Sequence, residues 1–320
     1  MSEPAGIVAL SGGVGGAKLA LGLSRTVAGD DLLVVANTGD DFEHLGLTIC
    51  PDLDTVTYTL SGLANRELGW GRAGETWGFM AALKQLGGET WFNLGDGDLA
   101  LHVVRGEGLA RGESLTSVTR AISERLGIPA RIVPMSDDPV RTIVRTEGGP
   151  LAFQHYFVRD RCEPAVSGFE FQGIDKARPQ ADFMAALAAD DLRAVIITPS
   201  NPFVSIDPIL ELPGVRRALA EADAPIIAVS PIVGGQAIKG PAAKMMAELG
   251  MPGSALAVAG HYGDLLDGFV LDRVDAEQAA AVSDLGPRPL VTGTVMQSLQ
   301  DRETLARDVL AFADELRRGQ

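Results

Sequence analysis

Four short runs of consecutive apolar residues recur along the chain: GIVAL at 6–10, LLVVA at 32–36, AVIIT at 194–198 and PIIAV at 225–229. Each is rich in β-branched residues, and each gives way at once to turn chemistry, SGGVGG, NTGDD, PSNP and SPIVGG in turn. Apolar runs without polar alternation predict strands buried on both faces, the signature of a parallel sheet covered by helices. Helical spacing over 208–222 and 240–249 predicts the covering helices. The fold class is therefore α/β, a doubly wound, mostly parallel Rossmann-like sheet. Ligands of such sheets bind outside the carboxyl ends of the strands. The polar loops that follow these four runs are expected to converge on one crevice.

Between about 61 and 189 the pattern changes. Helical spacing at 75–86 and 113–126 is followed by ARIVPM, VRTIVRT and LAFQHYFVRD, which read as strands joined by the short turns SDDP and EGGP. No linker isolates this stretch. It is expected to be an insertion that covers the crevice of a nucleotide-binding core formed by about 1–60 and 190–320, the whole of 1–320 being one catalytic unit. Apolar positions at helical spacing over 302–318 predict a packing helix.

Composition narrows the partners. A net charge of −15 over 320 residues excludes the basic stripe that DNA or RNA demands, so any bound anion is small and locally gripped. Lysine occurs only at Lys18, Lys84, Lys176, Lys239 and Lys244, and three of the five lie in or just after glycine-rich stretches. Cys50 and Cys162 fit no zinc or CxxC spacing and read as reduced thiols. The start, MSEPAG, lacks a basic region followed by an apolar stretch, and no apolar run is long enough to span a membrane. A soluble, cytoplasmic protein is expected.

The glycine loop SGGVGGAKL resembles two phosphate-binding signatures and matches neither. In a Walker A loop a second glycine precedes the lysine and a Ser or Thr follows it to bind magnesium; here Ala17 and Leu19 stand in those places. A dinucleotide fingerprint begun at Gly13 meets Lys18 where its third glycine belongs. What remains is bare backbone after a strand, opening a helix, an arrangement suited to a nucleotide or sugar phosphate. Metal ligands must then come from elsewhere. The stretch NTGDDFEHLGLTICPDLDT offers Asp40, Asp41, Glu43, Asp52 and Asp54. Magnesium takes one or two carboxylates with phosphate oxygens, which suits a pair drawn from Asp40 and Asp54; Asp52 after Pro51 also reads as a helix cap. NLGDGD at 93–98 is a second acidic glycine turn. SNP at 200–202 and SPIVGG at 230–235 supply hydroxyl, amide and backbone donors for a nucleobase, ribose or phosphate. No G-x-S-x-G elbow occurs, so covalent catalysis is not expected.

SGGVGGAKLALGL, VVANTGDDFEHLGLTICPDLDTVTYTLSG, GWGRAGETWGFM, NLGDGDLALHVVR, MSDDPVRT, TPSNPFVSIDPIL and VSPIVGGQAIKGPAAKMM, in that order, resemble the 2-phospho-L-lactate transferase family of coenzyme F-420 biosynthesis. The resemblance implies a magnesium-dependent transfer of a phosphorylated three-carbon acid from a guanosine-diphosphate-linked donor to the deazaflavin FO, with release of GMP. The acid could be phospholactate, phosphoenolpyruvate or phosphoglycerate. By motif, Asp40 and Asp54 would be the catalytic magnesium ligands, and Asp54, Asp96 and Asp98 would lie at FO. Gly12, Gly13, Gly15, Gly16 and Lys18 would cradle donor phosphates, with Ser200, Asn201, Ser230 and Pro231 on the guanosine side. The family reads L-G-D-R-D where this chain has Gly97 in place of the arginine, so Arg72, Arg105 or another basic group is expected to substitute. A homodimer is also implied. Two other readings compete: a non-catalytic regulator that binds nucleotide sugars, and a nucleotide-sugar glycosyltransferase.

Overall fold

The computed structural model describes residues 6–65 and 67–319, so most of the MSEPAG start lies outside the described residues. Seven strands form one sheet in which every pairing is parallel: β1 (Ile7–Ser11), β2 (Leu32–Ala36), β3 (Arg131–Pro134), β4 (Ala194–Ile197), β5 (Ile226–Val229), β6 (Gly268–Asp272) and β7 (Arg288–Thr292). Their order across the sheet is β7-β6-β5-β4-β1-β2-β3. The four apolar runs are β1, β2, β4 and β5. Successive residues of each run enter opposite cores: Val8 and Leu10 pack on one face with Leu33, Val195 and Ile197, while Ile7 and Ala9 pack on the other with Leu32, Val34 and Ile196. Both faces are dry, which explains why no polar residue interrupts these runs. The sheet is an α/β, Rossmann-like doubly wound sheet.

The chain runs outward from β1 in both directions, through β2 to β3 on one side and through β4 to β7 on the other. The crevice at the carboxyl ends of β1 and β4 is thus the topological switch point. Helix α1 (Gly13–Ser24) leaves the end of β1 and packs against α2 (Pro51–Leu60) and the carboxy-terminal helix Leu299–Gly319. The stretch 61–189 contributes α3 (Gly78–Gln85), α4 (Asp96–Ala110), α5 (Leu115–Arg125) and a three-stranded antiparallel sheet of Arg141–Thr146, Gly149–Ala152 and Val166–Gln172. It also contributes β3, so ARIVPM forms the edge of the central sheet.

Two local expectations fail. LAFQHYFVRD is a strand only as far as Ala152, and His155–Arg159 then winds into a π-helical turn. Phe153, Tyr156 and Phe157 stand at helical spacing, which competes with the strand pattern and prevails. The single helix expected over 208–222 is split into Asp207–Leu210 and Val215–Glu221. Pro213 cannot donate to a helix ladder, and Gly214 adopts a left-handed φ of 86°. Among the described residues, no helix is long and apolar enough to cross a membrane.

Candidate active site

A cavity of about 500 Å³ opens at the switch point. The loops after β1, β2, β4, β5 and β7 all reach it, through Gly12–Gly15, Asp40, Ser200, Ser230 and Met296 among others. The 61–189 stretch also lines it, with Trp70, Phe92, Phe153 and Phe157 among others. Phe153 and Phe157 are stacked, 5.5 Å apart at 8°.

The glycine loop is held from two sides. Gly12 N–H donates to Ser200 Oγ at 3.0 Å and that hydroxyl donates back to Gly12 C=O at 2.7 Å. Gly13, at a left-handed φ of 63°, donates its N–H to Asp52 Oδ1 at 2.5 Å. The next N–H groups of the first turn have no intrahelical acceptor and remain for a ligand. A Cβ on Gly12 would lie 2.5 Å from Asp52 Oδ2 and from Ser205 Cβ, so the close approach requires glycine there. Gly16 is equally constrained, since its Cβ would lie 2.5 Å from the hydroxyls of Ser11 and Ser200; it does not line the cavity. Lys18 does line it, with Nζ donating to Met296 C=O at 3.1 Å.

The acidic residues separate into distinct positions. Asp40 lines the cavity and is buried, with long hydrogen bonds from Asn37 Nδ2 at 3.4 Å and from Gln154 Nε2 at 3.3 Å. Burial, then the charges of Asp52 and Asp41, push its pKa well above the ordinary carboxylate value. Asp52 bridges Gly13 and Asn37 Nδ2, the latter at 2.9 Å, so it ties the glycine loop to the loop after β2 instead of capping α2, which has no side-chain cap. Burial raises its pKa to about 6, against the lowering by these hydrogen bonds. Asp41 turns into a separate cavity of about 180 Å³, where burial raises its pKa to about 8. Glu43 is exposed on the hairpin Phe42–Ile49, away from the cavity.

Asp54 belongs to a buried network between α2 and α4. Arg105 pairs with both of its carboxylate oxygens and also donates to Thr48 C=O at 3.2 Å. Arg105 Nη1 lies 3.1 Å from His102 Nδ1. A guanidinium only donates, so Nδ1 accepts, and the proton of the neutral ring is assigned to Nε2, which faces Asp98 Oδ2 at 3.3 Å. Tyr58 donates to Asp98 Oδ1 at 2.6 Å. Although burial raises the pKa of Asp98, its contacts with His102 and Tyr58 and the charge of Arg105 hold it below the usual range. His102 lies one helical turn from both Asp98 and Arg105, a spacing visible in DLALHVVR but uninformative without the facing α2. Asp54, Asp98 and His102 present ligand atoms within 4.8 Å of one another.

The other sequence assignments are distributed as follows. Ser200, Asn201, Ser230 and Pro231 line the cavity. Their polar atoms also fix the loops: Asn201 Oδ1 accepts from Phe203 N–H at 3.0 Å, and Ser230 Oγ donates to Ile232 C=O at 2.8 Å. Asp96 does not line the cavity, and its carboxylate caps α3 by accepting from Gly78 and Phe79 N–H at 3.1 and 3.0 Å. At Gly97 the missing side chain leaves room for Arg72, whose guanidinium occupies the place where a Cβ would begin. Arg105, the other arginine considered for that position, is committed to Asp54.

The buried acids set a pH dependence. Asp40, Asp41 and Asp52 hold protons more tightly folded than unfolded, so the native state binds more protons between their unfolded pKa near 4 and about 8. Stability of the metal-free protein should therefore fall as pH rises from 5 to 8, which thermal unfolding across that range measures. A flat or rising Tm would contradict the burial of these groups as acids.

The 2-phospho-L-lactate transferase CofD family model matches residues 7–288. A phosphoenolpyruvate transferase of Kitasatospora aureofaciens is 43% identical over 320 residues, covering 98% of this chain and 99% of the relative. A 2-phospho-L-lactate transferase of Methanosarcina mazei is 38% identical over 304 residues, covering 95% and 99%. A crystal structure of a UPF0052-family protein from Bacillus halodurans superposes with a TM-score of 0.61 over 95% of this chain and 98% of its own, at 14% identity, a likeness of fold. With the switch-point cavity built from its motifs and the match running through nearly its whole length, the chain belongs to the 2-phospho-L-lactate transferase CofD family.

Proposed function

We propose that the protein is a transferase that moves a phosphorylated three-carbon acid from a guanosine-diphosphate-linked donor to the terminal ribityl hydroxyl of the deazaflavin FO, releasing GMP. The observation that carries this reading is one cavity lined together by a backbone phosphate cradle, Lys18, the buried carboxylates of Asp40 and Asp54, and stacked aromatic rings. The flat ring of FO fits the aromatic wall of Trp70, Phe92, Phe153 and Phe157. The guanosine lies toward the loops after β4 and β5, with its diphosphate on the glycine loop. The hydroxyl oxygen bonds to the phosphorus that bears the acid and gives up its proton to solvent, the bond from that phosphorus to the bridging oxygen breaks, and the electron pair leaves with GMP. Positioning of two anionic partners is the protein's main task, and no side-chain nucleophile is needed.

A magnesium ion fits the donor set. Asp40 is a buried carboxylate whose hydrogen bonds from other side chains are long, and a cation there would offset the charge of its acidic neighbours. Arg105 takes one lone pair on each oxygen of Asp54, and a carboxylate has about four, so Asp54 keeps lone pairs for the cavity. Asp40 and Asp54 would hold the ion, which when bound neutralises charge on the donor phosphates. Magnesium should then raise Tm most at pH 8 and remove most of the decline between pH 5 and 8 described above.

The three-carbon acid we propose is enolpyruvate, in its phosphorylated form. Its support is the pair of phosphoenolpyruvate transferases from Kitasatospora aureofaciens and Streptomyces griseus, 43% and 42% identical over nearly the full chain. Incubation with FO, magnesium and the guanosine-linked donor should release GMP, while UDP-sugars should give nothing. Turnover of UDP-sugars with none of the guanosine donor would overturn the assignment.

A further inference from the structure

The cavity is electrically lopsided. Among the described residues that line it, Asp40, Asp52, Asp54 and Asp98 are acidic, whereas Lys18 and Lys239 are its only lysines or arginines. The acids come from the ends of β2 and the starts of α2 and α4. Arg105 and Tyr58 already partner two of them. Lys18 leans the other way, onto Met296 beyond β7. Burial disfavours its ammonium, and the positive charges of Arg302 and Lys239 add to that. Neither Lys18 nor Lys239 has a carboxylate partner among the described residues. Two uncompensated cations lining one cavity and close enough to disfavour each other's charge, in a chain of net charge −15, mark where an anion belongs.

Lys239 reaches this place from outside the sheet. It follows the two-stranded hairpin of Ile232–Val233 and Gln236–Ala237, whose turn glycines Gly234 and Gly235 have φ of 57° and 78°. Its ammonium ends over Gly69 on the facing loop, where a Cβ would lie 3.0 Å from Nζ. Lys239 thus reaches across to Gly69, both residues lining the cavity, and glycine at 69 leaves it the space.

We propose that Lys239 is the second cation of the donor site, gripping the diphosphate together with Lys18 and holding the phosphate that departs with guanosine. This rests on the transfer reaction proposed above. The phosphorus under attack lies toward the acidic end, and the leaving phosphate toward the lysines. As the bridging P–O bond breaks, negative charge grows on the GMP oxygen, and an ammonium beside it stabilises that charge more than the ground state.

Calorimetric titration of the full chain with GDP, with guanosine and, separately, with FO tests the assignment. Lys239→Ala should weaken GDP binding about tenfold, as expected for loss of one charge-assisted contact, and leave guanosine and FO unchanged. Lys239→Arg should restore most of the GDP affinity. Turnover should show kcat falling in Lys239→Ala even at saturating donor. GDP affinity unchanged by Lys239→Ala, or an equal loss for guanosine, which has no phosphate, would overturn the role of Lys239 alone. A wild-type chain that binds neither GDP nor FO would overturn the transfer reaction and this role with it.

Discussion

Asp40→Asn should lower turnover by about a thousandfold and, in the same preparation, raise the Tm of the metal-free protein. The two effects share one cause. Asp40 is a buried carboxylate near Asp52, Asp41 and Asp54, and its hydrogen bonds from Asn37 and Gln154 are long. In the metal-free fold the negative charge is a liability, and an amide of the same shape removes it. At work the same charge is what a cation needs, and losing a group that offsets transition-state charge typically costs ~10²–10³ in rate. Thermal unfolding and initial rates on one sample check both halves. Full activity in Asp40→Asn would contradict the ligand role, and a lower Tm would show that Asp40 is ionised and well compensated in the empty fold.

Arg105→Ala should destabilise the protein by about 3–5 kcal/mol, the usual cost of leaving one member of a buried ion pair alone. Arg105 is buried and pairs with both oxygens of Asp54. That pair, more than proximity to any ligand, raises the guanidinium pKa above its ordinary value in the face of burial. Denaturant unfolding of Arg105→Met, Asp54→Asn and the double variant forms a cycle, and the double variant should recover part of the loss. Additive losses would show that the two side chains do not depend on each other. Alanine at Asp54 looks from the sequence like a simple test of metal binding. The structure makes it a test of folding as well, because it strands Arg105, so asparagine is the substitution to use for activity.

What could be read in advance follows from what each pattern encodes. β1, β2, β4 and β5 are legible because strands buried on both faces tolerate no polar residue, and the glycine loop because bare backbone after a strand has few other uses. LAFQHYFVRD misleads because its aromatic spacing satisfies two periods at once. Asp52 is hard to place from sequence: a carboxylate after proline at the start of a helix looks like a cap, and only the approach of α1 to α2 reveals its bond to Gly13. Arg105 is hidden in the same way, since its partner lies 51 positions earlier on another helix. The substitution at Gly97 is visible in the sequence, while the arginine that fills the space is found only in three dimensions.

The central claim is that this cavity joins a phospho-acid to FO with loss of GMP. Mass spectrometry of FO incubated with magnesium and the guanosine-linked enolpyruvyl, lactyl and glyceryl donors in parallel tests it most directly. A product with the mass of FO plus phosphoenolpyruvate less water, formed one for one with GMP, is the expected result. FO recovered unchanged from all three donors would contradict the claim.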